Sequence, residues 1–134
     1  MTVLVTGGAG YIGSHTVRAL VAQGRDVVVL DSLELGHKSR VGNVPFFEGN
    51  ITDAKIIDKV CRKFEVSEVI HFAAYKAVGE SMEQPLRYYN NNVAGTIALV
   101  RALMANGVEK IVFSSSAAVY GNPDHVPVTE DAPL

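Results

Sequence analysis

Three glycines near the N-terminus, Gly7, Gly10 and Gly13, are spaced three residues apart. A short β-branched run precedes them, and a segment with helical periodicity, from Ile12 to Val21, follows them. Glycines in such a strand–turn–helix have no Cβ, so backbone N–H groups can approach an anion closely at the positive end of the helix. The arrangement predicts a turn that binds the pyrophosphate of a dinucleotide, and its context makes it more specific than an isolated glycine triplet.

An acidic residue, Asp31, ends the second apolar run and is followed by Ser32 rather than by an arginine. A carboxylate at this point can accept hydrogen bonds from both ribose hydroxyls of an adenosine, and it repels a 2′-phosphate. The two residues therefore favour NAD over NADP. The alternative is an aspartate that only caps a turn.

Further polar residues follow the third and fourth apolar runs. Asn50 either binds the edge of an adenine or is a plain turn asparagine. Lys76 either neutralises the charge of a pyrophosphate or is a solvated loop lysine. His71 lies within an apolar run, and we interpret it as a packed core histidine rather than a base.

Two more polar groups come later in the chain. Asn91 is the middle of three consecutive asparagines, which are poor helix formers, so one of them is expected to bond a neighbouring loop or the cofactor. Ser114 and Ser116 end the fifth apolar run, where a hydroxyl would face the reacting alcohol or carbonyl of a substrate. No Gly-x-Ser-x-Gly elbow indicates a hydrolase. No spacing of metal ligands is found, so no metal site is predicted.

The elements that position these residues alternate between strands and helices. Strand-length apolar runs lie at residues 3–6, 26–30, 44–47, 68–73 and 110–114. Helices are predicted at residues 11–23, ended by Gly24, at 53–64, capped by Asp53, and at 85–106, opened by Pro85. Residues 30–44 are predicted to form a loop that requires no helix. Most of the strand runs are continuously apolar, as in a parallel sheet that is buried on both faces. The pattern predicts a doubly wound α/β fold of Rossmann type with strand order 3-2-1-4-5, truncated after its fifth strand.

Composition sets the wider limits. The chain has 134 residues, 48% of them apolar, and a net charge of −2, which gives no general attraction to nucleic acid or to anionic membranes. Cys61 is the only cysteine and is predicted to be inert core, which fits a reducing cytoplasm. No signal peptide is expected, and no apolar run approaches the ~20 residues that span a bilayer. Because the fifth strand would leave an open apolar edge, we expect residues 1–134 to be an incomplete domain of a longer protein.

Five segments together resemble the UDP-glucose 4-epimerase family of extended short-chain dehydrogenases/reductases. They lie, in order, at residues 6–15, 69–74, 76–81, 88–93 and 113–121. The segment Lys-Ala-Val-Gly-Glu-Ser at residues 76–81 is the most characteristic of them. The resemblance implies a permanently bound NAD, which takes a hydride from C4 of a UDP-hexose and returns it to the other face of the sugar.

The resemblance also implies roles for individual residues. The predicted cofactor-binding residues are Gly7, Gly10, Tyr11, Ile12, Gly13, Asp31, Ser32, Asn50, Ile51, Phe72, Ala73, Ala74, Tyr75, Lys76, Asn91 and Ser114. The predicted catalytic residue is Ser116, as the serine that hydrogen-bonds the C4 oxygen. The implied partners are a UDP-hexose and a second copy of the chain, bound through the helix at residues 85–106.

The chain departs from the family pattern at a few positions. Asn50 replaces a frequent aspartate, and Ala118 replaces a frequent threonine near the sugar. Ala74 and Tyr75 stand where many members have Gly-Leu. The Tyr-x-x-x-Lys pair, whose tyrosine is the family's general base, is absent, as is the UDP-binding half, so these residues alone are expected to be inactive. Other hypotheses are another NAD-dependent sugar-nucleotide epimerase or dehydratase, and a non-catalytic NAD-binding module.

Overall fold

The computed structural model describes all 134 residues and contains one five-stranded parallel sheet. Its strands are β1 Thr2–Thr6, β2 Asp26–Asp31, β3 Phe46–Glu48, β4 Val66–His71 and β5 Lys110–Phe113. Their spatial order is β3-β2-β1-β4-β5, which confirms the predicted order and the Rossmann-type fold. Because all strands are parallel, their carboxyl ends meet along a single edge of the sheet.

The α-helices are α1 Tyr11–Ala22, α2 Ala54–Phe64, α3 Val78–Glu83, α4 Pro85–Tyr88 and α5 Gly95–Ala105. A π-helix, Tyr89–Ala94, joins α4 to α5. Short 3₁₀ helices form at Lys38–Arg40 and Ala117–Tyr120.

Alternation along the central strands produces two apolar clusters. Leu4 packs in a cluster that includes Ile57 of α2 and Leu99 of α5. Val3 belongs to a second cluster, which includes Val17 of α1. Neighbouring side chains on a strand point to opposite faces, so the sheet is covered on both sides, as the continuous apolar runs predict.

The strand bounds differ from the predicted ones where hydrogen bonding decides them. Pro45 accepts from the backbone N–H of Val29 through its carbonyl, but it has no N–H to donate, and the paired strand begins at Phe46. On β4 the pairing with β1 begins at Val66 and ends at His71, before the predicted end. The shorter β4 leaves the residues after His71 as a loop at the carboxyl edge of the sheet.

Two helix ends follow the sequence signals. Gly24 has φ +73° just after α1, which confirms the predicted glycine end of that helix. Asp53 accepts a hydrogen bond of 2.9 Å from the backbone N–H of Lys55, which confirms it as the cap of α2. The loop after β2 does contain a short helix, at Lys38–Arg40, although none was required.

The predicted helix over residues 85–106 does begin at Pro85, but the prediction of one regular helix is wrong in its middle. The three asparagines lie in the π-helix, and a separate short helix, Val78–Glu83, precedes Pro85. Insertion of an extra residue in a π-turn rotates side chains relative to the α-helical register, and such segments are frequent at functional sites.

The fifth strand lies at the edge of the sheet with its side chains open to solvent. Ile111, Val112 and Phe113 are 42%, 62% and 58% exposed. This agrees with the prediction of an uncovered apolar edge at β5. No helix in the structure has the length and apolar character needed to cross a bilayer.

Candidate functional site

The glycine turn between β1 and α1 is closely packed at two of its three spaced glycines. Gly7 has φ +71°, and a Cβ there would lie 2.7 Å from the backbone nitrogen of Ala73. A Cβ on Gly13 would lie 2.2 Å from the carbonyl oxygen of Gly7. A Cβ on Gly10 would meet only that same oxygen, at 3.2 Å. Gly7 and Gly13 therefore shape the turn, whereas a Cβ on Gly10 would have a single close neighbour.

The N-terminus of α1 has free hydrogen-bond donors. Gly10 caps the helix without a side-chain hydrogen bond, and no acidic residue lies in the first turn. The first N–H groups of a helix have no intrahelical acceptor, and they carry its positive dipole end. The side chains of Tyr11 and Ile12 are 72% and 54% exposed, so they do not seal these donors from solvent. The turn thus fits a pyrophosphate.

The carboxylate of Asp31 is buried beside this turn. One oxygen accepts from the backbone N–H of Ala9 at 2.9 Å, and the other accepts from Leu33 at 2.8 Å. Asp31 therefore does cap a turn, as the alternative interpretation holds. Each carboxylate oxygen still has a second lone pair that can accept from a ribose hydroxyl. The neighbouring Ser32 is exposed.

A glycine that sequence reasoning missed closes the loop after β2. A Cβ on Gly36 would lie 2.9 Å from the Cβ of Ala9 and 3.0 Å from an oxygen of Asp31. The next residue, His37, donates its backbone N–H to the carbonyl of Ala9 at 3.0 Å. Gly36 thus lets this loop lie directly against the glycine turn. The sequence shows Gly36 only as one of two glycines in that loop, and nothing in the pattern marks it out from Gly42.

Asn50 and Ile51 follow β3 at the same edge of the sheet. The side-chain oxygen of Asn50 accepts from the backbone N–H and the hydroxyl of Thr52, at 2.9 and 3.0 Å. This geometry is that of a turn asparagine, and it leaves the amide group of Asn50 free. Ile51 is buried in the core, where its Cδ1 would lie 3.0 Å from a Cβ on Gly95. The side chain of Ile51 therefore packs inward.

The loop after β4 is fixed by Asn92, which is not among the site residues predicted from the sequence. Asn92 accepts from the backbone N–H of Tyr75 and donates to its carbonyl, both at 2.9 Å. Asn91 is buried and donates to the side-chain oxygen of Asn92 at 3.0 Å. One asparagine thus bonds a neighbouring loop as predicted, but the direct contact belongs to Asn92. Ala74 and Lys76 are exposed, and Lys76 forms no ion pair.

His71 is a buried core histidine, as predicted, and it is 2% exposed. The hydroxyl of Thr96 donates to the carbonyl of Asn92 at 2.7 Å. Its oxygen, 3.1 Å from Nε2, must therefore accept the Nε2 proton, which leaves Nδ1 to accept from the hydroxyl of Thr6 at 2.5 Å. Burial lowers the pKa of His71 to about 4. The neutral ring joins the strand before the glycine turn to the helix after the π-segment.

Ser114 and Ser116 lie beyond β5 and are exposed. The backbone N–H of Ser114 donates to the carbonyl of His71 at 3.1 Å, which continues the pairing of β5 with β4. The hydroxyl oxygen of Ser116 accepts from the backbone N–H of Ala118 at 3.1 Å, which leaves its own proton free to donate. Cys61 is buried, and burial raises its pKa to about 11, in agreement with an inert core role.

The predicted residues thus lie along the carboxyl edge of one parallel sheet, where open α/β folds bind their ligands. The model for the NAD dependent epimerase/dehydratase family matches residues 3–134. The chain belongs to this family. No cluster of three or more histidine, cysteine or carboxylate groups is placed to hold a metal ion.

Family members at substantial identity are UDP-glucose 4-epimerases, which confirms the resemblance seen in the sequence. The enzyme of Lactobacillus helveticus is 52% identical over 135 residues, which span all of this chain and 41% of the relative. The structure of the Brucella ovis enzyme in complex with NAD is 45% identical with a TM-score of 0.89, covering 98% of this chain and 41% of that one. The chain therefore spans about two fifths of the length of these epimerase/dehydratase family members.

A third relative adds a nucleotide ligand to the comparison. The Bifidobacterium longum UDP-glucose 4-epimerase, whose structure is in complex with NAD⁺ and UDP, is 39% identical with a TM-score of 0.89. The match covers 99% of this chain and 42% of the relative. The Rossmann-type part of these epimerase/dehydratase family members is the part that this chain matches.

Proposed function

We propose that residues 1–134 are the NAD-binding part of an enzyme that interconverts UDP-glucose and UDP-galactose at C4. The observation that carries the proposal is the shared sheet edge, which gathers the glycine turn, Asp31 and Ser116. Relatives about half identical in sequence are UDP-glucose 4-epimerases. The cytoplasm is the proposed location, because the chain has a single, buried cysteine.

Different groups of this chain would bind the dinucleotide and the sugar. Free N–H groups at the start of α1 bind the pyrophosphate, and the Asp31 carboxylate accepts from the adenosine ribose. When bound, NAD supplies the acceptor and then the donor of the hydride from C4. The hydroxyl of Ser116 donates to the C4 oxygen and orients it.

Binding of NAD in preference to NADP tests the Asp31 assignment without altering the fold. The carboxylate would face a 2′-phosphate with like charge in a site that is largely buried, so we expect weaker binding of NADP. Calorimetric titration of the purified protein with each dinucleotide measures the difference. Equal or tighter binding of NADP would contradict the role given to Asp31.

Residues 1–134 do not contain the Tyr-x-x-x-Lys pair whose tyrosine would accept the proton of the C4 hydroxyl. Each of the five tyrosines lacks a lysine four positions later. We therefore expect the isolated 134-residue chain to bind NAD but not to convert UDP-galactose. A coupled assay for UDP-glucose formation tests this, with the complete gene product as the positive control. Sustained turnover by the 134-residue chain would overturn the assignment of the base outside it.

A sugar-nucleotide dehydratase is the second candidate, because the matched family includes such enzymes. Elimination of water needs an acid near the sugar, yet Ala117 and Ala118 follow Ser116. Analysis of the products from UDP-glucose separates the two reactions. We expect UDP-galactose, whereas a 4-keto-6-deoxy sugar would establish the dehydratase.

We also propose that a second copy of the chain covers an apolar stripe along the helices after β4. The stripe consists of Met82, Leu86, Tyr89, Val93, Ile97 and Met104, which are 48% to 83% exposed. Met82 lies on α3, ahead of the break before Pro85. From Leu86 onward the residues are three, four or seven positions apart, a spacing that favours one side of the helical segment. A contiguous exposed apolar surface of this kind is typical of a protein interface.

The oligomeric state tests this stripe. Ile97→Asp places a charge in the proposed interface, and Val21→Asp is the matched control, because Ile97 and Val21 are 48% and 47% exposed. We expect light scattering to give a dimer for the wild type and for the control, and a monomer for Ile97→Asp. A wild-type monomer, or a dimer that survives Ile97→Asp, would refute the proposed interface.

A further inference from the structure

Five side chains from four segments of the chain form one connected polar cluster, which we call the Arg87 network. It consists of Glu34, Tyr75, Glu80, Arg87 and Tyr88. Arg87 donates to Glu34 at 2.7 Å and also to Glu80. The hydroxyl of Tyr75 donates to the other oxygen of Glu34, and that of Tyr88 donates to Glu80 at 2.7 Å. None of these contacts has a role in the cofactor or substrate binding proposed above.

Aromatic contacts hold the charged groups in place. The Arg87 guanidinium lies 4.4 Å from the ring centroid of Tyr75, and the rings of Tyr75 and Tyr88 are 5.4 Å apart. The hydrogen bond from Tyr75, followed by the effects of Arg87, lowers the pKa of Glu34, so this carboxylate is ionised at neutral pH. Both ends of the Arg87–Glu34 pair are thus charged and positioned.

The topology shows what the network spans. Glu34 lies in the loop after β2, and Tyr75 lies in the loop after β4. Strands β2 and β4 pair with opposite sides of β1. A contact between the two loops therefore crosses the carboxyl end of β1, where the glycine turn begins. Asp31 and Lys76, which flank the proposed cofactor, lie close in sequence to Glu34 and Tyr75.

We propose that the Arg87 network is a strap across the dinucleotide cleft, which ties the loop after β2 to the loop after β4 and slows the release of NAD. This inference rests on the proposed function, because it takes NAD to be the ligand in the cleft. Glu34 and Arg87 are positioning residues that act on the two loops. Departure of the dinucleotide requires the loops to separate, and hence the Glu34–Arg87 and Glu34–Tyr75 contacts to break.

The experiment measures the rate at which labelled NAD leaves the complete gene product during a chase with unlabelled NAD. The variants are Glu34→Gln and Arg87→Gln, and the matched controls are Glu83→Gln and Arg18→Gln, whose side chains have no ion-pair partner. Partly exposed ion pairs contribute modestly, so we expect about twofold to fivefold faster release in the variants and no change in the controls. The increase in the double variant should be smaller than the product of the two single increases, because both single variants break the same Glu34–Arg87 contact.

Hydrogen exchange of the protein without NAD supplies a second readout. We expect faster exchange at residues 32–37 and 74–77 in both variants than in both controls, since the loops are no longer tied together. Unchanged NAD release and unchanged exchange in a protein that binds NAD would refute the strap alone. Failure of the protein to bind NAD, with faster exchange in the variants, would instead refute the proposed function and with it the role of the strap in NAD release.

Discussion

Substitution of Gly13 by alanine tests whether the glycine turn is built as the structure shows. The new Cβ would lie 2.2 Å from the carbonyl oxygen of Gly7 and 2.9 Å from the Cα of Gly8. These are backbone atoms, so they cannot rotate away as the end of a side chain can. The carbonyl would have to retreat by roughly 1 Å to reach ordinary contact. That movement disturbs the hydrogen bond from Gly10 to the same carbonyl, which is 3.1 Å long.

The magnitude follows from three opposing contributions. Overpacking costs about 1–3 kcal/mol, and a weakened hydrogen bond costs about 1 kcal/mol more. Replacing glycine by alanine inside a helix returns about 1 kcal/mol, because alanine loses less backbone entropy on folding. We therefore expect Gly13→Ala to lower the free energy of unfolding by about 1–3 kcal/mol, with reduced affinity for NAD.

The control is Gly79→Ala in α3, because no atom lies within 4 Å of a Cβ at that position. We expect this variant to be unchanged or to be stabilised by about 0.5–1 kcal/mol. Urea denaturation of both variants measures the difference, and calorimetric titration with NAD follows the affinity. A Gly13→Ala protein within about 0.5 kcal/mol of the wild type would refute the packing described for the turn.

Three further outcomes can be measured. His71 binds its proton near pH 4 when folded and near 6.5 when unfolded, so the free energy of unfolding should fall by about 3 kcal/mol as the pH decreases through that window, as urea titrations at several pH values would show. A flat profile would contradict the buried neutral ring. Asn92→Ala removes both bonds to the Tyr75 backbone and should cost about 1–3 kcal/mol, whereas the exposed Asn90→Ala should cost under about 0.5 kcal/mol in the same assay, and equal losses would exclude the special role of Asn92. Cys61 should resist iodoacetamide at pH 8 until urea unfolds the chain, because the thiol is buried and burial raises its pKa to about 11, and rapid labelling of the folded protein would disprove its burial.

The glycine turn and the helix ends could be predicted from the sequence because they depend on interactions between residues close together in the chain. The glycine spacing, the cap at Asp53 and the glycine end at Gly24 all depend on backbone geometry within a few residues. Continuous apolar runs with helices between them restrict the sheet to a few topologies, so the strand order could be inferred as well. The end of β4 and the start of β3 could not, since they depend on which partner groups remain to be paired.

The roles of individual polar residues were less accessible. Asn91 and Asn92 are adjacent and chemically identical, and only the rotation introduced by the π-helix decides that Asn92 reaches Tyr75. Asn50 was compatible with a turn or with a ligand, and its contacts with Thr52 show the turn. An asparagine side chain can form its hydrogen bonds within its own turn or with a distant group, and the sequence alone does not distinguish the two cases.

The sequence by itself determined the Rossmann-type sheet, the glycine turn and the family, because each follows from residue types at short spacing. Only the tertiary structure decided that Arg87 meets Glu34 across 53 residues of chain. The same holds for the bond between His71 and Thr6, which lie 65 residues apart. Such pairs form because β2 and β4 both pack beside β1, and no property of either residue in the linear chain specifies its partner.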